Sequence, residues 1–301
     1  MNKYIVSLLV ICSMLCASSV KAEQLYFSTP QAAVKELIVS IKEKDMSKLL
    51  NILGSDAKPI LDSGDPIEDE ANHNKFLKAC DEENKLEKVN EVEYQLTLGK
   101  DHWEFPIPLL KGDKGWYFDT NAGKQEILNR RVGRNELSAI NAVLAYVDAQ
   151  REYYMTNPEH AKMNTYAQKL MSSPNKRDGL YYPVNAGETP SPLGDFFAQA
   201  SSAGYGDSKG KQQPYLGYYY RILKSQGKDA LGGELDYVMK DKMISGHALI
   251  AWPAEYGNSG VMTFMVGQDG VVYEKDLGPH TTEDVAKITK YNPDKTWKVV
   301  K

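Results

Sequence analysis

Several residue types that can carry catalysis are present in this chain, but their spacing does not form a complete catalytic motif. Ser173-Pro-Asn-Lys176 has the S-x-x-K spacing of penicillin-recognising enzymes, yet the partner motifs S-D-N and K-T-G do not occur downstream. Gly257-Asn-Ser259-Gly260 lacks the glycine two residues after the serine that a nucleophile elbow requires. Neither segment predicts a serine hydrolase.

The histidines predict no metal site. His73, His102, His160, His247 and His280 do not pair at the spacing of metal ligands, and the H-E-x-x-H motif is absent from the sequence. His247 opens an apolar strand, which favours a hydrogen-bonded position in or beside the core. A catalytic pairing of His247 or His280 with a distant carboxylate stays open. The sequence has no glycine-rich phosphate loop and no dinucleotide fingerprint, so no cofactor is predicted.

Residues 1–22 predict a cleavable signal peptide. Met1-Asn-Lys3 gives a positive start, Tyr4 to Cys16 is mostly apolar, and Val20-Lys-Ala22 offers the small residues that signal peptidase recognises. The apolar run is about 13 residues, shorter than the ~20 that span a bilayer. We therefore expect a periplasmic or secreted protein with no membrane span in the mature chain, which would begin at Glu23.

One cysteine would remain after cleavage, because Cys12 and Cys16 lie in the signal. An internal disulfide is then impossible, and burial alone must stabilise the fold. Cys80 follows Phe76 and Ala79 in a helical pattern, which favours a buried residue over a nucleophile. The formal net charge of −4 comes without a basic stripe, which argues against a nucleic-acid partner.

The N-terminal third predicts helices followed by an antiparallel sheet. Thr29-Pro30 and Asp65-Pro66 each place a side-chain cap before a proline, which is typical of a helix start. Residues 92–98 alternate apolar and polar side chains, as in a half-buried strand. The segment 103–110 contains two prolines that remove backbone donors, so we expect it at a sheet edge or bulge.

The rest of the chain predicts a second unit of the same kind. Apolar spacing indicates a long helix at about 134–156, a short helix at 191–203, and strands that include a hairpin around Gly267-Gln-Asp-Gly270. We therefore predict an α+β fold of two domains, each with helix packed on an antiparallel sheet. The predicted division is a signal peptide at 1–22, a first domain at 23–120, a short helical connector at 121–133 and a second domain at 134–301.

The densest basic spot is formed by Arg130, Arg131 and Arg134 at the predicted junction. Three arginines within five positions can bind an anion. They can equally brace the junction against nearby acids, and bracing is the favoured interpretation.

Tyrosine is concentrated after residue 134, where 15 of the 19 tyrosines lie. Aromatic rings give a large, stiff contact area, and each hydroxyl can form a hydrogen bond, which suits a surface that binds a glycan or a protein. The alternative is that these rings pin long glycine-rich loops onto the sheet. The candidate binding residues are Tyr181, Tyr182, Tyr205, Tyr215, Trp252 and Tyr256.

Many short runs of the sequence together carry a resemblance to a known family, among them Ser63-Gly-Asp-Pro66, Trp103-Glu-Phe-Pro-Ile-Pro108, Asn129-Arg-Arg131, Gly133-Arg-Asn-Glu136, Arg177-Asp-Gly-Leu-Tyr181, Ala251-Trp-Pro-Ala254 and Gly260-Val-Met-Thr-Phe264. On these runs, nearly all of the mature sequence resembles the bacterial domain-of-unknown-function 2950 family. The resemblance implies an exported protein, but it supplies no activity and no catalytic residues.

Two weaker likenesses concern the fold alone. Residues 25–120 are similar to nuclear transport factor 2-like domains, and residues 134–280 are similar to the globular heads of type IV pilin-like proteins. True pilins begin with an apolar membrane helix, whereas another domain precedes the helix here, so filament assembly is not implied. Likeness of fold does not give function.

Together these observations favour a non-catalytic binding or assembly module of the bacterial cell envelope, with an envelope protein or glycan as its partner. Two alternatives stay open. One is a periplasmic hydrolase that uses a histidine and a carboxylate. The other is a small-ligand-binding protein with a pocket in the first domain near Trp103 and Trp116.

Overall fold

The computed structural model describes residues 24–185, 187–195 and 213–301. The predicted signal peptide, Tyr205 and residues 196–203 of the predicted short helix lie outside the described residues.

The first part of the chain opens with helices whose starts are fixed by local side chains. In α1 (Pro30–Lys42), the Thr29 hydroxyl accepts from the backbone N–H of Ala32 at 3.1 Å. Next come α2 (Met46–Leu53), a 3₁₀ turn (Ser55–Ala57), α3 (Lys58–Leu61) and α4 (Pro66–Glu82). Asp65 Oδ1 caps α4 by accepting from the N–H groups of Ile67 and Glu68. Both predicted helix starts are confirmed.

An antiparallel sheet follows these helices. Its strands are β1 (Asn84–Asn90), β2 (Glu93–Leu98), β3 (Trp103–Glu104), β4 (Leu109–Gly112) and β5 (Gly115–Phe118). The order is β1-β2-β4-β5, and β3 pairs with the end of β2. The proline-containing stretch between β3 and β4 lies outside the strands, as its missing donors predict. Buried side chains between helices and sheet form the first core, including Ala33, Leu37, Ile52, Leu96, Leu98, Leu109 and Phe118.

A single continuous helix, α5 (Thr120–Thr156), contains 37 residues. The separate connector expected at 121–133 is instead the first third of this helix. Gly133 does not interrupt it, because one glycine costs only about 1 kcal/mol in a helix. The helix contributes to two cores, since Ile127 packs on the first core and Val143 lies within the second. The division into two domains stays a prediction.

A second antiparallel sheet forms most of the C-terminal part. The strands of this part are β6 (Tyr218–Leu223), β7 (Ser225–Gln226), β8 (Leu235–Asp236), β9 (Val238–Met239), β10 (Lys242–Met243), β11 (Ala248–Pro253), β12 (Met262–Gly267), β13 (Val272–Asp276) and β14 (Lys298–Val299). The sheet has the order β14-β13-β12-β11-β6, and β11 is buried along its whole length. The predicted hairpin is confirmed, since β12 and β13 pair on either side of the turn that contains Gly270.

Both faces of this second sheet are covered. Leu249 and Phe264 face α5, and together with Val143 they belong to one core. Ile250 and Met265, which neighbour them along the strands, belong to another core on the opposite face. That other core is completed by α6 (Thr281–Lys287) and by the C-terminal segment, through Val285, Tyr291 and Trp297. The structure therefore has the mixed α+β class that the sequence predicts.

Among the described residues, none of the helices combines the length and the apolar character needed to cross a bilayer. Cys80 is buried, and burial raises the pKa of its thiol to about 11.

Candidate functional site

The described members of the tyrosine-rich set do not form an exposed aromatic face. Tyr182 and Trp252 are buried, with relative exposures of 6% and 7%, and Tyr181, Tyr215 and Tyr256 are half-buried. Tyr205 lies outside the described residues. Arginines cover two of the rings, because Arg177 lies over Tyr182 and Arg221 lies over Trp252. A binding role for these residues stays a prediction.

Other tyrosines of the C-terminal part form hydrogen bonds through their hydroxyls. Tyr153 donates to the carbonyl of Arg177 at 2.7 Å, and Tyr218 donates to that of Met262 at 2.9 Å. Both rings are buried, and burial raises the pKa of both phenols. Loop pinning, the alternative interpretation of the tyrosine excess, describes the Tyr153 contact, whereas the Tyr218 contact joins β6 to β12.

Arg131 joins the two parts of the chain at their junction. Its buried guanidinium donates to the carbonyls of Pro59 and Ile60, both at 2.7 Å, and to Asn258 Oδ1 at 2.6 Å. Asn258 in turn donates to the carbonyl of Asp62 at 2.8 Å. Because these partners are uncharged acceptors, the arginine serves as a multiple hydrogen-bond donor here.

The acids at the start of α4 take part in the same junction. Asp65 Oδ2 accepts from the backbone N–H of Gly217 at 3.0 Å. Asn135 Nδ2 lies 3.1 Å from both Glu68 Oε2 and the carbonyl of Ser259. A side chain at Gly217 would place its Cβ 2.5 Å from that same amide nitrogen, so only glycine fits this approach. We call the set Asp65, Glu68, Arg131, Asn135, Gly217, Asn258 and Ser259 the junction cluster.

The surroundings of Glu68 in the junction cluster favour the protonated, neutral form of its carboxyl more than water does. Burial raises the pKa of the Glu68 carboxyl, and the hydrogen bond from Asn135 and the charge of Arg134 offset this only in part. Arg134 Nη2 lies 3.5 Å from Glu68 Oε1, and the arginine side chain is 57% exposed.

The three arginines of the basic spot therefore have different surroundings. Arg131 is buried in the junction cluster, Arg134 reaches it from the surface, and Arg130 pairs with Glu126 on its own helix at 2.6 Å. The contacts of Arg131 match the bracing interpretation. Anion binding at Arg130 or Arg134 stays a prediction.

Several runs that carry the family resemblance meet at this junction, although they are far apart in sequence. Ser63-Gly-Asp-Pro66, Asn129-Arg-Arg131 and Gly133-Arg-Asn-Glu136 supply residues to the cluster or flank it. Glu136 Oε1 accepts from the N–H groups of Val261 and Met262, which ties the run Gly260-Val-Met-Thr-Phe264 to α5. Spacing along the sequence could not reveal this convergence.

His247 lies at the start of β11 and is 3% exposed. Its ring packs between Tyr146 and Tyr166, whose ring centroids lie 5.5 and 4.8 Å away. Within the described part of the chain, Nδ1 is buried and has no hydrogen-bond partner. Burial lowers the pKa of the imidazole to about 4, and the charge of Arg151 acts in the same direction.

A small cavity of about 160 Å³ adjoins His247. α5 supplies four of the lining residues, and the others come from the loop after α5, from the residue before β11 and from the turn after β12. The lining residues are Val147, Arg151, Tyr154, Met155, Tyr166, His247 and Gln268. No carboxylate is among the described residues that line this cavity. Sequence spacing had singled out only His247 among these residues.

Ser173 contacts a lysine other than the one that its S-x-x-K motif suggests. Lys169 Nζ donates to Ser173 Oγ at 2.6 Å and to Asp178 Oδ2 at 2.7 Å. Burial opposes ionisation of Asp178, but hydrogen bonds from Lys169 and Ser173 outweigh it and lower the pKa of this carboxyl to about 2. Because Lys169 Nζ already donates to Asp178, it is not placed as a free base for Ser173.

The first part of the chain has a groove of about 550 Å³ between α1 and the edge strand β1. A ligand pocket near Trp103 and Trp116 stays a prediction. Trp116 is buried against Tyr94. The groove is lined by Gln31, Val34, Lys35, Ile38, Val39, Lys42, Asn84 and Leu86.

Metal ligands do not gather in the described ranges: no group of three or more His, Cys, Asp or Glu side chains there could hold an ion.

The fold and junction define an α+β protein in which two sheet-containing parts share one helix. The family model DUF2950, described as a protein of unknown function, matches residues 24–300, and the chain belongs to this family. No curated protein and no solved structure shows significant similarity to the chain. The likenesses to nuclear transport factor 2-like domains and pilin heads stay predictions.

Proposed function

We propose that this protein is an exported, non-catalytic binding or assembly module of the bacterial cell envelope. The proposal includes cleavage of the signal peptide before Glu23 and a mature protein that works outside the cytoplasm.

The observation that carries the proposal is the burial and pairing of the side chains that could act as nucleophiles or bases. The Cys80 thiol is buried with a raised pKa, and the His247 imidazole is neutral between two tyrosine rings. Lys169 is paired with Asp178 beside Ser173. Ser173 Oγ also donates to Asp178 Oδ2 at 3.0 Å. A carboxylate whose pKa is held at about 2 is a weak base, so it does little to activate this serine.

The junction cluster adds a second line of support. Its buried acid and base groups already serve as hydrogen-bond partners between the two parts of the chain. Hydrogen bonds of this kind hold the two parts of the chain in a fixed relative position. A pre-organised surface binds a partner at a lower entropic cost, which supports a binding role.

The experiment has a localisation arm and a binding arm. The chain with its leader is expressed in a Gram-negative host, and osmotic-shock extracts are analysed by intact mass. We expect release into the extract with Glu23 as the first residue. The purified mature protein is then sedimented with isolated cell envelopes, and we expect saturable binding that unlabelled protein competes away.

A hydrolysis panel separates binding from catalysis. Ester, phosphoester, peptide and glycoside substrates are offered to the mature protein and to its His247→Ala and His280→Ala variants. We expect no turnover above the level of buffer. Turnover that either substitution abolishes would establish the hydrolase alternative, and failure to bind envelopes would remove the binding proposal.

A further inference from the structure

We propose that the free edge of the first sheet, strand β1, pairs with the same strand of a second copy of this chain to form a two-fold symmetric dimer. The two strands run antiparallel, and Leu86 lies on the symmetry axis. The inference goes beyond the proposed function, because binding to an envelope partner does not require self-association.

The first argument is the unpaired edge. β1 pairs with β2 on one side, and no strand lies on its other side in the described part of the chain. With the described residues, β1 forms no backbone–backbone hydrogen bond outside its ladder with β2. Its side chains are exposed, except for the half-buried Leu86. Free N–H and C=O groups in a row can accept another strand.

The second argument is register. In an antiparallel pair related by a two-fold axis, facing side chains lie on the same side of the sheet, so the axis passes through a residue. An axis at Lys85, Glu87 or Lys88 places that charge opposite its own copy, which is destabilising. An axis at Leu86 sets Lys85 opposite Glu87 twice and leucine opposite leucine. The charges of β1 therefore select this register.

The regular part of β1 has the same centre. Its pairing with β2 is regular from Asn84 to Lys88, and the register shifts between Lys88 and Asn90. Such an irregularity bends a strand and interrupts its ladder. The stretch before it has Leu86 at its midpoint, so the two-fold register uses all of it. At its ends Lys88 faces Asn84, whose Nδ2 donates to the carbonyl of Cys80 at 2.9 Å and leaves Oδ1 as an acceptor.

The third argument is the availability of these charges. Glu87 is exposed and forms no ion pair with any described residue. Lys85 pairs with Glu83 at 2.5 Å, and the lysine side chain is 52% exposed. An ammonium group has three donors, so this contact leaves donors for Glu87 of the second copy.

The groove between α1 and β1 adds apolar surface beside the axis. Asn84 and Leu86 line it from the strand, and Val34, Ile38 and Val39 line it from the helix. An axis perpendicular to the sheet keeps both grooves on the same face of the joined sheet. The two Leu86 side chains then meet where the grooves adjoin, and their contact removes apolar surface from water.

Sedimentation velocity of the mature protein, from about 10 µM to about 1 mM, measures the monomer–dimer equilibrium. We expect a dimer with a Kd on the order of 100 µM, because a short strand pair buries less than the ~1,200 Å² of a standard interface.

Charge reversal tests the register. Glu87→Lys brings lysine opposite lysine, and Lys85→Glu brings glutamate opposite glutamate, so each should weaken dimerisation at least about tenfold. The variant with both changes restores opposite charges and should dimerise like wild type. An equal mixture of the two single variants should form heterodimers. Glu104→Lys is the matched control, because the exposed Glu104 lies in β3 on the other side of β2.

Cross-linking tests the position of the axis. Leu86→Cys places two thiols across it, whereas Val89→Cys places them about 20 Å apart at ~3.3 Å per residue. Mild oxidation should give a disulfide-linked dimer through position 86 and not through position 89. Cys80 is buried in both variants and serves as an internal constant.

A protein that stays monomeric over the whole range would overturn the proposal and leave the edge to a strand of another protein. Equal dimerisation of Glu87→Lys and wild type, a double variant that stays monomeric, or faster cross-linking of Val89→Cys would overturn it as well. Envelope sedimentation tests the proposed function separately, so the two failures are distinguishable.

Discussion

The Asp65 carboxylate accepts a hydrogen bond from the backbone N–H of Gly217 at 3.0 Å, although 152 positions separate the two residues in the sequence. The other oxygen of the same carboxylate caps α4. One side chain therefore fixes a helix start and a contact between the two parts of the molecule.

Asp65→Ala should destabilise the protein by about 2–4 kcal/mol, since it removes a helix cap and leaves a buried N–H without a partner. Asp45→Ala is the matched control, because the exposed Asp45 caps α2 by accepting a hydrogen bond from the backbone N–H of Lys48. The control should cost about 1 kcal/mol. Urea unfolding of both variants measures the difference, and equal losses would mean that the Gly217 contact contributes nothing.

Arg131→Met should lower the free energy of unfolding by about 3–5 kcal/mol, because it leaves buried acceptors unpaired beside buried acids. The neighbouring variant Arg130→Gln changes an exposed pair and should stay within about 0.5 kcal/mol of wild type. Thermal and urea unfolding provide the measurement. A similar effect of the two substitutions would contradict the bracing role of Arg131.

Glu68 should make stability depend on pH. Because burial raises the pKa of its carboxyl above the ordinary 4.5, the folded state holds this proton more tightly than the unfolded state. The stabilisation is complete below pH 4.5 and is lost as the pH rises through the folded-state value. Glu68→Gln removes this dependence and keeps an acceptor for Asn135.

The measurement is urea unfolding of Glu68→Gln and wild type between pH 4 and pH 7. Relative to wild type, the variant should become more stable as the pH rises. Comparing the two proteins cancels the contribution of Asp69, whose pKa burial also raises. A stability difference that stays constant with pH would show that Glu68 titrates alike in both states.

His247→Phe should raise the stability of the protein by about 1–2 kcal/mol at pH 7, because it removes a buried nitrogen without a partner among the described residues. Its advantage should grow towards acid. The folded-state pKa is about 4, so the unfolded state binds more protons between pH 4 and about 6.5, and wild type loses stability as the pH falls through that window.

An exposed histidine offers the control for this experiment. His280 lies at the exposed start of α6, so His280→Phe controls for replacing a histidine by phenylalanine outside the core. A ¹⁵N-histidine titration checks the cause directly, because the His247 resonances should stay in the neutral form down to about pH 5. A His247 midpoint near 6.5 would refute the burial argument.

Cys80 should be unreactive in the folded protein. Its thiol is buried with a pKa of about 11, so little thiolate forms at pH 8. A thiol-specific chromophore should label the native mature protein slowly and label it fully in urea. Rapid labelling of the native protein would indicate that α4 opens readily.

Local signals account for the features that the sequence predicted well. Thr29-Pro30 and Asp65-Pro66 mark helix starts because the capping contacts span only two or three residues. The alternation at 92–98 marks β2, and the glycine turn near Gly270 marks a hairpin. Each of these patterns is complete within a short window.

Non-local contacts account for what the sequence could not predict. Arg131 finds its acceptors at Pro59, Ile60 and Asn258, which no local rule connects. The cavity beside His247 likewise joins residues from several elements. The sequence alone leaves the role of the many tyrosines open. A tyrosine ring can lie in an exposed binding surface or pack in the core, and its position in the fold determines which of the two applies.

The unbroken α5 has a mechanical consequence. Its 37 residues correspond to a rod of about 55 Å at ~1.5 Å per residue. Because the first and second cores both pack on this helix, it holds the two sheet-containing parts at a set separation along its axis.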